Sequence, residues 1–163
     1  MDVIWLALSV GAFAMAIVVY LAWSILKQPV GTRQMEKVAS FIEEGTAAFI
    51  RRQYTTIGVF VAVALVPLAL FFRDVRVVVA FVSGAGLSLL AAYIGLRVAV
   101  KANARTANIA RVSGAKAFTL AFRGGGVMGL SVVGLSLIGV SLLFWFYRDP
   151  NLIVSFGFGA SLA

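Results

Sequence analysis

Residues 77–96 read VVVAFVSGAGLSLLAAYIGL, twenty consecutive residues without a charged side chain. A transmembrane helix needs about 20 predominantly apolar residues to cross about 30 Å of hydrocarbon. The rest of the chain shares this character, because 62% of its 163 residues are hydrophobic and only 12% are charged. A soluble domain has about 45–50% apolar and about 25% charged residues. The composition therefore excludes a soluble globule and predicts an integral membrane protein.

Apolar runs of similar length occur on both sides of this segment. We predict spans at residues 3–26, 56–72, 77–96, 126–147 and, incompletely, 152–163. The first run lacks a preceding basic segment and is too long for a signal peptide, so we interpret it as a retained span. The fifth has only 12 residues, so we expect the chain to stop inside a span of a longer protein; the alternative is a short re-entrant or interfacial tail. The predicted fold class is all-α, a polytopic transmembrane helix bundle with four complete spans and the start of a fifth.

The charges are distributed unevenly between the two sides of the membrane. The chain has 14 Lys and Arg against 6 Asp and Glu, and eleven of the basic residues lie in the connections 27–55 and 97–125. Basic residues gather on the cytoplasmic side of membranes. We therefore expect both connections in the cytoplasm, the N-terminus outside, and a prokaryotic plasma membrane as the location. The excess of positive charge indicates contact with anionic lipid rather than a nucleic-acid partner.

Both cytoplasmic connections have the spacing of helices rather than loops. Apolar residues recur at helical intervals between Met35 and Tyr54, and no proline separates this segment from the second span. The second connection continues the third span and carries a stripe of polar residues within about 120° on one helix face. The stripe consists of Arg97, Lys101, Arg105, Asn108 and Arg111. We interpret it as a solvated face that attracts anionic head groups; the alternative is that it concentrates an anionic substrate.

Small residues four positions apart predict close helix packing in lipid. The pairs are Gly84 and Ser88, Ala91 and Gly95, and Gly125 and Gly129. Arg123 is followed by three glycines, but this cluster lacks the Lys-Ser/Thr of a P-loop and follows no strand. We expect it to form a flexible lead-in to the fourth span.

Candidate chemical groups are scarce. The chain has no Cys and no His, and its six acids all lie outside the predicted spans: Asp2, Glu36, Glu43, Glu44, Asp74 and Asp149. Adjacent Glu43 and Glu44 point about 100° apart on a helix, so they do not form an acid–base pair. We expect helix-surface pairing instead, for instance of Glu44 with Lys37 or Arg51. The sequence predicts no catalytic, cofactor-binding or metal-binding residue in this chain.

Four segments in register carry a family resemblance. They are EEGTAAFIRRQY at 43–54, VAVKANARTANIA at 98–110, AFRGGGVMG at 121–129 and FGFGAS at 156–161. Together they resemble the N-terminal part of the membrane-bound, ion-translocating inorganic pyrophosphatases, and the resemblance covers residues 36–163. Mild departures from the family pattern occur at Thr46, Ala92, Leu96 and Gly126.

The resemblance implies an all-helical homodimeric pump. Such a pump hydrolyses cytoplasmic pyrophosphate with Mg²⁺, in some members with K⁺, and moves H⁺ or Na⁺ outward. Its metal and pyrophosphate are bound by Asp and Lys motifs on inner helices that lie beyond this sequence. Residues 1–163 would then be the N-terminal, outer-ring scaffold, and the isolated chain would be inactive.

Two other functions remain open. One is a non-catalytic membrane accessory or assembly protein, or a decayed or split pump segment. The other is a small four-helix transporter, which would need an ionisable group at membrane depth. None of the four complete predicted spans has a carboxylate in its middle.

Overall fold

The structure, a computed structural model, describes residues 2–162, and these form five α-helices without any β-strand. The helices are α1 (Asp2–Leu26), α2 (Arg33–Phe72), α3 (Val75–Ala110), α4 (Gly114–Tyr147) and α5 (Asn151–Ala160). In this part of the chain α1 to α4 are long and apolar enough to cross a membrane, whereas α5 has 10 residues. The predicted all-α bundle of four spans and a short fifth helix is therefore confirmed. Residue 163, the last of the predicted fifth span, lies outside the described residues.

Three of the helices are much longer than a bilayer requires. α2 has 40 residues, α3 has 36 and α4 has 34. At 1.5 Å per residue, α2 is about 60 Å long, twice the hydrocarbon thickness. As predicted, the segment from Met35 to Tyr54 and the second span form one helix, and the basic stripe continues the helix of the third span.

Local chemistry explains where these helices begin and end. The side chains of Thr32, Asp74 and Ser113 accept backbone N–H groups at the starts of α2, α3 and α4. Such caps satisfy donors that have no partner within the helix. α2 and α4 are followed directly by Arg73 and Arg148, whose φ angles of 48° and 53° turn the chain sharply.

α3 and α4 form the centre of the bundle, and the other helices pack around them. α1 packs along α4, α5 packs along α3, and α2 contacts α3 from the outside. One buried apolar cluster joins α1, α3 and α4: Val18, Ile25, Val98, Ala102, Leu120 and Val127. A second joins α3, α4 and α5: Val77, Ala80, Leu143, Leu152 and Phe156. α3 contributes to both clusters.

The glycines of α4 pack differently from the prediction. The cluster that follows Arg123 lies inside α4, so it is helical rather than a flexible lead-in. Gly124 faces α3, where an added Cβ would lie 3.3 Å from Ala102 Cβ. Gly125 and Gly129 are exposed and have no neighbour within 4 Å of such a Cβ, so the predicted packing at this pair is wrong. Each residue turns the helix by 100°, which points Gly124 inward and Gly125 outward.

We name the two ends of the bundle by their charges. The basic end holds the loop between α1 and α2, residues 27–32, and the turn between α3 and α4, residues 111–113. The far end holds the turns at Arg73–Asp74 and at Arg148–Pro150. Much of the surface between these ends is apolar. Only 6% of the apolar stretch of α2 that could cross a membrane is buried. Lipid or further protein must therefore cover it.

Candidate functional site

The acidic side chains do not converge on a metal site. Among residues 2–162, no group of three or more carboxylates is placed to hold a metal ion. Asp74 pairs with Arg76 at 2.9 Å, and Asp149 accepts from Asn151. The hydrogen bonds and charge of the Arg76 guanidinium hold the pKa of the Asp74 carboxyl below its usual range. Mg²⁺ prefers several oxygen ligands in octahedral geometry, and the carboxylates of residues 2–162 are not arranged in that way.

Glu43 and Glu44 lie side by side on the exposed surface of α2. In the described part of the chain neither forms an ion pair, so the expected pairing of Glu44 with Lys37 or Arg51 is absent. Glu43 lines a cleft of about 260 Å³ between α2 and α3, together with Lys101. The cleft is bounded by α2, α3 and Val30 of the loop between α1 and α2.

The basic stripe of α3 divides into an exposed part and a packed part. Arg97 and Arg111 are exposed, and the Arg97 guanidinium lies 5.3 Å from the centre of the Tyr93 ring. Arg105 is half-buried: its Nε donates to the Gln28 carbonyl at 3.0 Å, and its Nη1 donates to the Lys101 carbonyl at 2.7 Å. The interpretation of the stripe as a solvated face therefore fits Arg97 and Arg111 and fails for Arg105 and Asn108, which bind the loop after α1. That the stripe attracts anionic head groups stays a prediction.

Arg105 and Asn108 together fix the loop between α1 and α2. Asn108 Nδ2 donates to the Pro29 carbonyl at 3.3 Å, beside the bond from Arg105 to Gln28. Gly31 adopts a φ of 117°, and an added Cβ there would lie 2.9 Å from Asn108 Cγ. A glycine is needed because the loop passes directly over α3 in a conformation that other residues rarely adopt. The loop is thus held by side chains about 80 residues later in the sequence.

The closest helix contact is between α3 and α5, which run parallel. A Cβ added to Gly84 would collide with the backbone carbonyl of Phe156, and one added to Gly159 would collide with that of Phe81. Ser88 Oγ donates to the Ala160 carbonyl at 2.7 Å. The predicted packing role of Gly84 and Ser88 is confirmed, and their partner is the segment FGFGAS at 156–161.

The opposite face of α5 borders an apolar cleft. The cleft has a volume of about 850 Å³ and separates α5 from the end of α2. Its lining is almost entirely apolar and includes Pro67, Phe71, Phe72, Val154 and Phe158. One face of α5 is therefore packed against α3, and another borders an apolar cleft that lipid or further protein can fill.

The polar contacts between helices were not predicted from the sequence. Tyr54, which ends the first segment of the family resemblance, donates its hydroxyl to the Leu89 carbonyl and joins α2 to α3. Arg105 lies in the second segment, Gly124 in the third and Gly159 in the fourth. All four segments thus supply contacts between elements. The resemblance of these segments to the family was the signal available in the sequence, but it does not identify the residue that each of them contacts.

Comparison with known proteins gives consistent matches over nearly the whole chain. Residues 12–163 match the family described as inorganic H⁺ pyrophosphatase. A K(+)-insensitive pyrophosphate-energized proton pump of Methanosarcina mazei is 42% identical over 154 residues. The K(+)-insensitive pyrophosphate-energized proton pump 2 of Moorella thermoacetica is 46% identical over 158 residues. A putative K(+)-stimulated pyrophosphate-energized sodium pump of Clostridium tetani is 40% identical over 152 residues. Each match covers 93% of this chain.

These relatives form one class, the pyrophosphate-energized ion pumps. The chain belongs to the inorganic H⁺ pyrophosphatase family, which confirms the resemblance found in the four segments. It spans 22–23% of the length of these three relatives. Their names include both proton and sodium pumps, so the match leaves both ions open.

Proposed function

We propose that this chain is the N-terminal scaffold portion of a primary ion pump. The pump couples hydrolysis of cytoplasmic inorganic pyrophosphate to outward transport of H⁺ or Na⁺. The observation that carries this proposal is the identity of 42–46% to pyrophosphate-energized proton pumps over 93% of the chain. The four long apolar helices agree with a membrane-embedded role.

The packing supports a scaffold rather than a catalytic role. In the proposed pump, α1 to α4 belong to an outer ring, and α5 begins the first inner helix. The contact of Gly84 and Gly159 attaches that inner helix to the outer ring by its backbone. The apolar cleft on the other side of α5 leaves room for the remaining spans of the same pump. The further partners in this proposal are the lipid bilayer and a second copy of the pump.

The proposed orientation puts the basic end in the cytoplasm and the N-terminus outside a prokaryotic plasma membrane. Eleven of the 14 Lys and Arg residues lie in the two connections near the basic end. The far end carries only Arg73 and Arg148 in its turns and Arg76 in the first turn of α3. Such an asymmetry orients membrane proteins with the basic side inward.

The chemistry in this proposal belongs to residues outside this chain. In this proposal Mg²⁺, and K⁺ where it is needed, are bound there; among residues 2–162 no group of three carboxylates converges. When bound, Mg²⁺ would polarise the phosphoryl oxygens of pyrophosphate. What the present residues supply is the position of α5 and the packing of the helices behind it.

A chimera tests the scaffold proposal. The chain would replace the matching N-terminal part of the Moorella thermoacetica pump, and pyrophosphate-dependent ion transport would be measured in membrane vesicles. We expect transport to be retained, because nearly half of the matched residues are identical and the packing contacts lie within the exchanged part. A folded chimera without transport would favour the accessory or split-pump interpretation.

The isolated chain provides the complementary test. We expect no Mg²⁺-dependent phosphate release from pyrophosphate by the purified 163-residue chain. The same colorimetric assay on the chimera is the positive control. Turnover by the isolated chain would show that catalytic groups are present within it and would refute the division of roles.

A further inference from the structure

A polar cleft opens at the basic end of the bundle. It has a volume of about 460 Å³ and lies between the loop after α1 and the facing sides of α3 and α4. No acidic residue lines it, and its polar lining comes from Gln28, Pro29, Asn108, Lys116, Thr119 and Arg123. The cleft therefore has a positive charge that nothing in its own lining balances.

Its two cations lie on one face of α4. Lys116 and Arg123 are seven residues apart, about 10 Å along the helix axis and within about 20° around it. Lys116 is exposed and Arg123 is half-buried. Within residues 2–162, neither side chain forms an ion pair or donates a hydrogen bond. Both cations are thus available to an anion in the cleft.

The position of the cleft along the helices corresponds to the edge of the bilayer. Lys27 follows the last residue of α1, and its ammonium lies 4.9 Å from the centre of the Trp23 ring. Arg123 precedes the predicted span 126–147 by three residues, about 4.5 Å along the helix. Charged and aromatic side chains of this kind anchor helices at the head-group level. The end of the cleft formed by Arg123 and the loop after α1 therefore lies at that level.

Two exposed phenylalanines lie on the side of α4 that faces away from the cleft. Phe118 and Phe122 are 72% and 75% exposed, and their ring centroids are 6.3 Å apart. At 100° per residue these rings point about 100–160° away from Lys116 and Arg123, so they are not part of the cleft; as large exposed aromatics they indicate that this side of α4 meets lipid or further protein.

We infer that the cleft binds the phosphate group of an anionic phospholipid. Arg123 donates to the phosphate oxygens through its guanidinium, and Lys116 contributes a second charge. Basic pockets between transmembrane helices bind acidic head groups in this way. This inference goes beyond the proposed function and does not depend on it, because it requires only insertion in a membrane.

Lipid titration of the purified chain tests the inference. Binding of phosphatidylglycerol and of phosphatidylcholine to the chain in neutral detergent would be measured by native mass spectrometry. The variant K116Q/R123Q removes both cations, and K37Q/R52Q removes two exposed cations of α2 as a matched control. We expect K116Q/R123Q to bind phosphatidylglycerol roughly 10- to 30-fold more weakly, and the control to bind it as the unaltered chain does.

Three results would overturn the inference. Equal binding of both lipids by the unaltered chain would show that the negative head group is not selected. An equal loss in K37Q/R52Q would show that only net charge matters. Displacement of phosphatidylglycerol by millimolar inorganic phosphate would assign the cleft to a free anion. If circular dichroism shows that K116Q/R123Q has lost helix content, the single variant K116Q is used instead, because Lys116 is exposed. We expect K116Q to bind phosphatidylglycerol about fivefold more weakly. Unchanged binding would refute the site.

Discussion

The shortest helix, α5, is attached more closely than the longest, α2. Three of the 10 residues of α5 are buried, whereas α2 buries two of 40. α5 meets α3 backbone to backbone through Gly84 and Gly159, while α2 reaches α3 through longer side chains such as Ile50 and Ile57. In lipid there is no hydrophobic force between helices, so attachment depends on how closely backbones approach. Helix length alone does not determine it.

Because α2 is attached less closely, clefts remain between it and its neighbours. α2 leaves a cleft of about 850 Å³ against α5 and one of about 260 Å³ against α3. One polar contact, from the Tyr54 hydroxyl to the Leu89 carbonyl, crosses between α2 and α3. The comparison predicts that α5 is sensitive to added volume and that α2 tolerates single changes.

The largest effect is expected from Gly84→Leu. The new side chain would collide with the Phe156 carbonyl, which is backbone and cannot rotate away. Overpacking typically costs about 1–3 kcal/mol and more where nothing can move, so we expect a loss of about 3 kcal/mol or more. Unfolding of the purified chain by SDS titration would measure it.

Gly86→Leu is the matched control for this change. Gly86 lies two residues away on the same helix, and nothing lies within 4 Å of its added Cβ. We expect stability within about 0.5 kcal/mol of the unaltered chain, as for a surface substitution. Equal damage from both leucines would mean that the contact of α3 with α5 is not the cause.

A smaller effect is expected from Tyr54→Phe. The substitution removes the hydrogen bond to Leu89 and keeps the ring. Interhelical hydrogen bonds in membranes contribute about 0.6 kcal/mol on average, and we expect a loss of this size in the same titration. Ser88→Ala, which removes the bond to Ala160, serves as the counterpart on α5. If Tyr54→Phe proved as damaging as Gly84→Leu, the proposed difference between the two helices would be wrong.

The smallest effect is expected from Asp74→Asn, and it depends on pH. Asn keeps the helix cap but loses the charge that pairs with Arg76. Because folding lowers the pKa of Asp74, its contribution to stability is complete above the unfolded pKa of about 3.9 and is lost as the pH falls through the folded value. The difference in unfolding midpoint between the two proteins should therefore be present at neutral pH and shrink below about pH 4. A difference that grows in acid would contradict the assigned pair.

The sequence predicted the features that depend on local composition. Residues 77–96 have the length and apolarity of a span, and they lie inside α3. The absence of proline between Met35 and the second span predicted the long helix α2 correctly. Such features need no knowledge of neighbours, since the chain segment itself decides between helix and loop in lipid. That no catalytic residue lies in this chain stays a prediction.

Features that depend on a partner helix were harder to predict. Spacing alone shows that Gly125 and Gly129 share a helix face, but not that this face points away from the bundle. A rotation of 100° separates Gly125 from Gly124, which is packed. In the same way, the sequence shows Arg105 as one cation of a stripe, whereas its partner is the carbonyl of Gln28. Packing between segments that are distant in the sequence decides which face of each helix is buried.

The pairing of the first helix with the fourth has a consequence for biosynthesis. Gly11 of α1 lies against Gly134 and Ile138 of α4. About 120 residues must be made between the end of α1 and the end of α4, which takes on the order of 10 s at about 5–20 residues per second. During that interval α1 is without its main partner, and Gly11 lacks its contact with α4. The ribosome thus completes the partner helix well after α1 has left it.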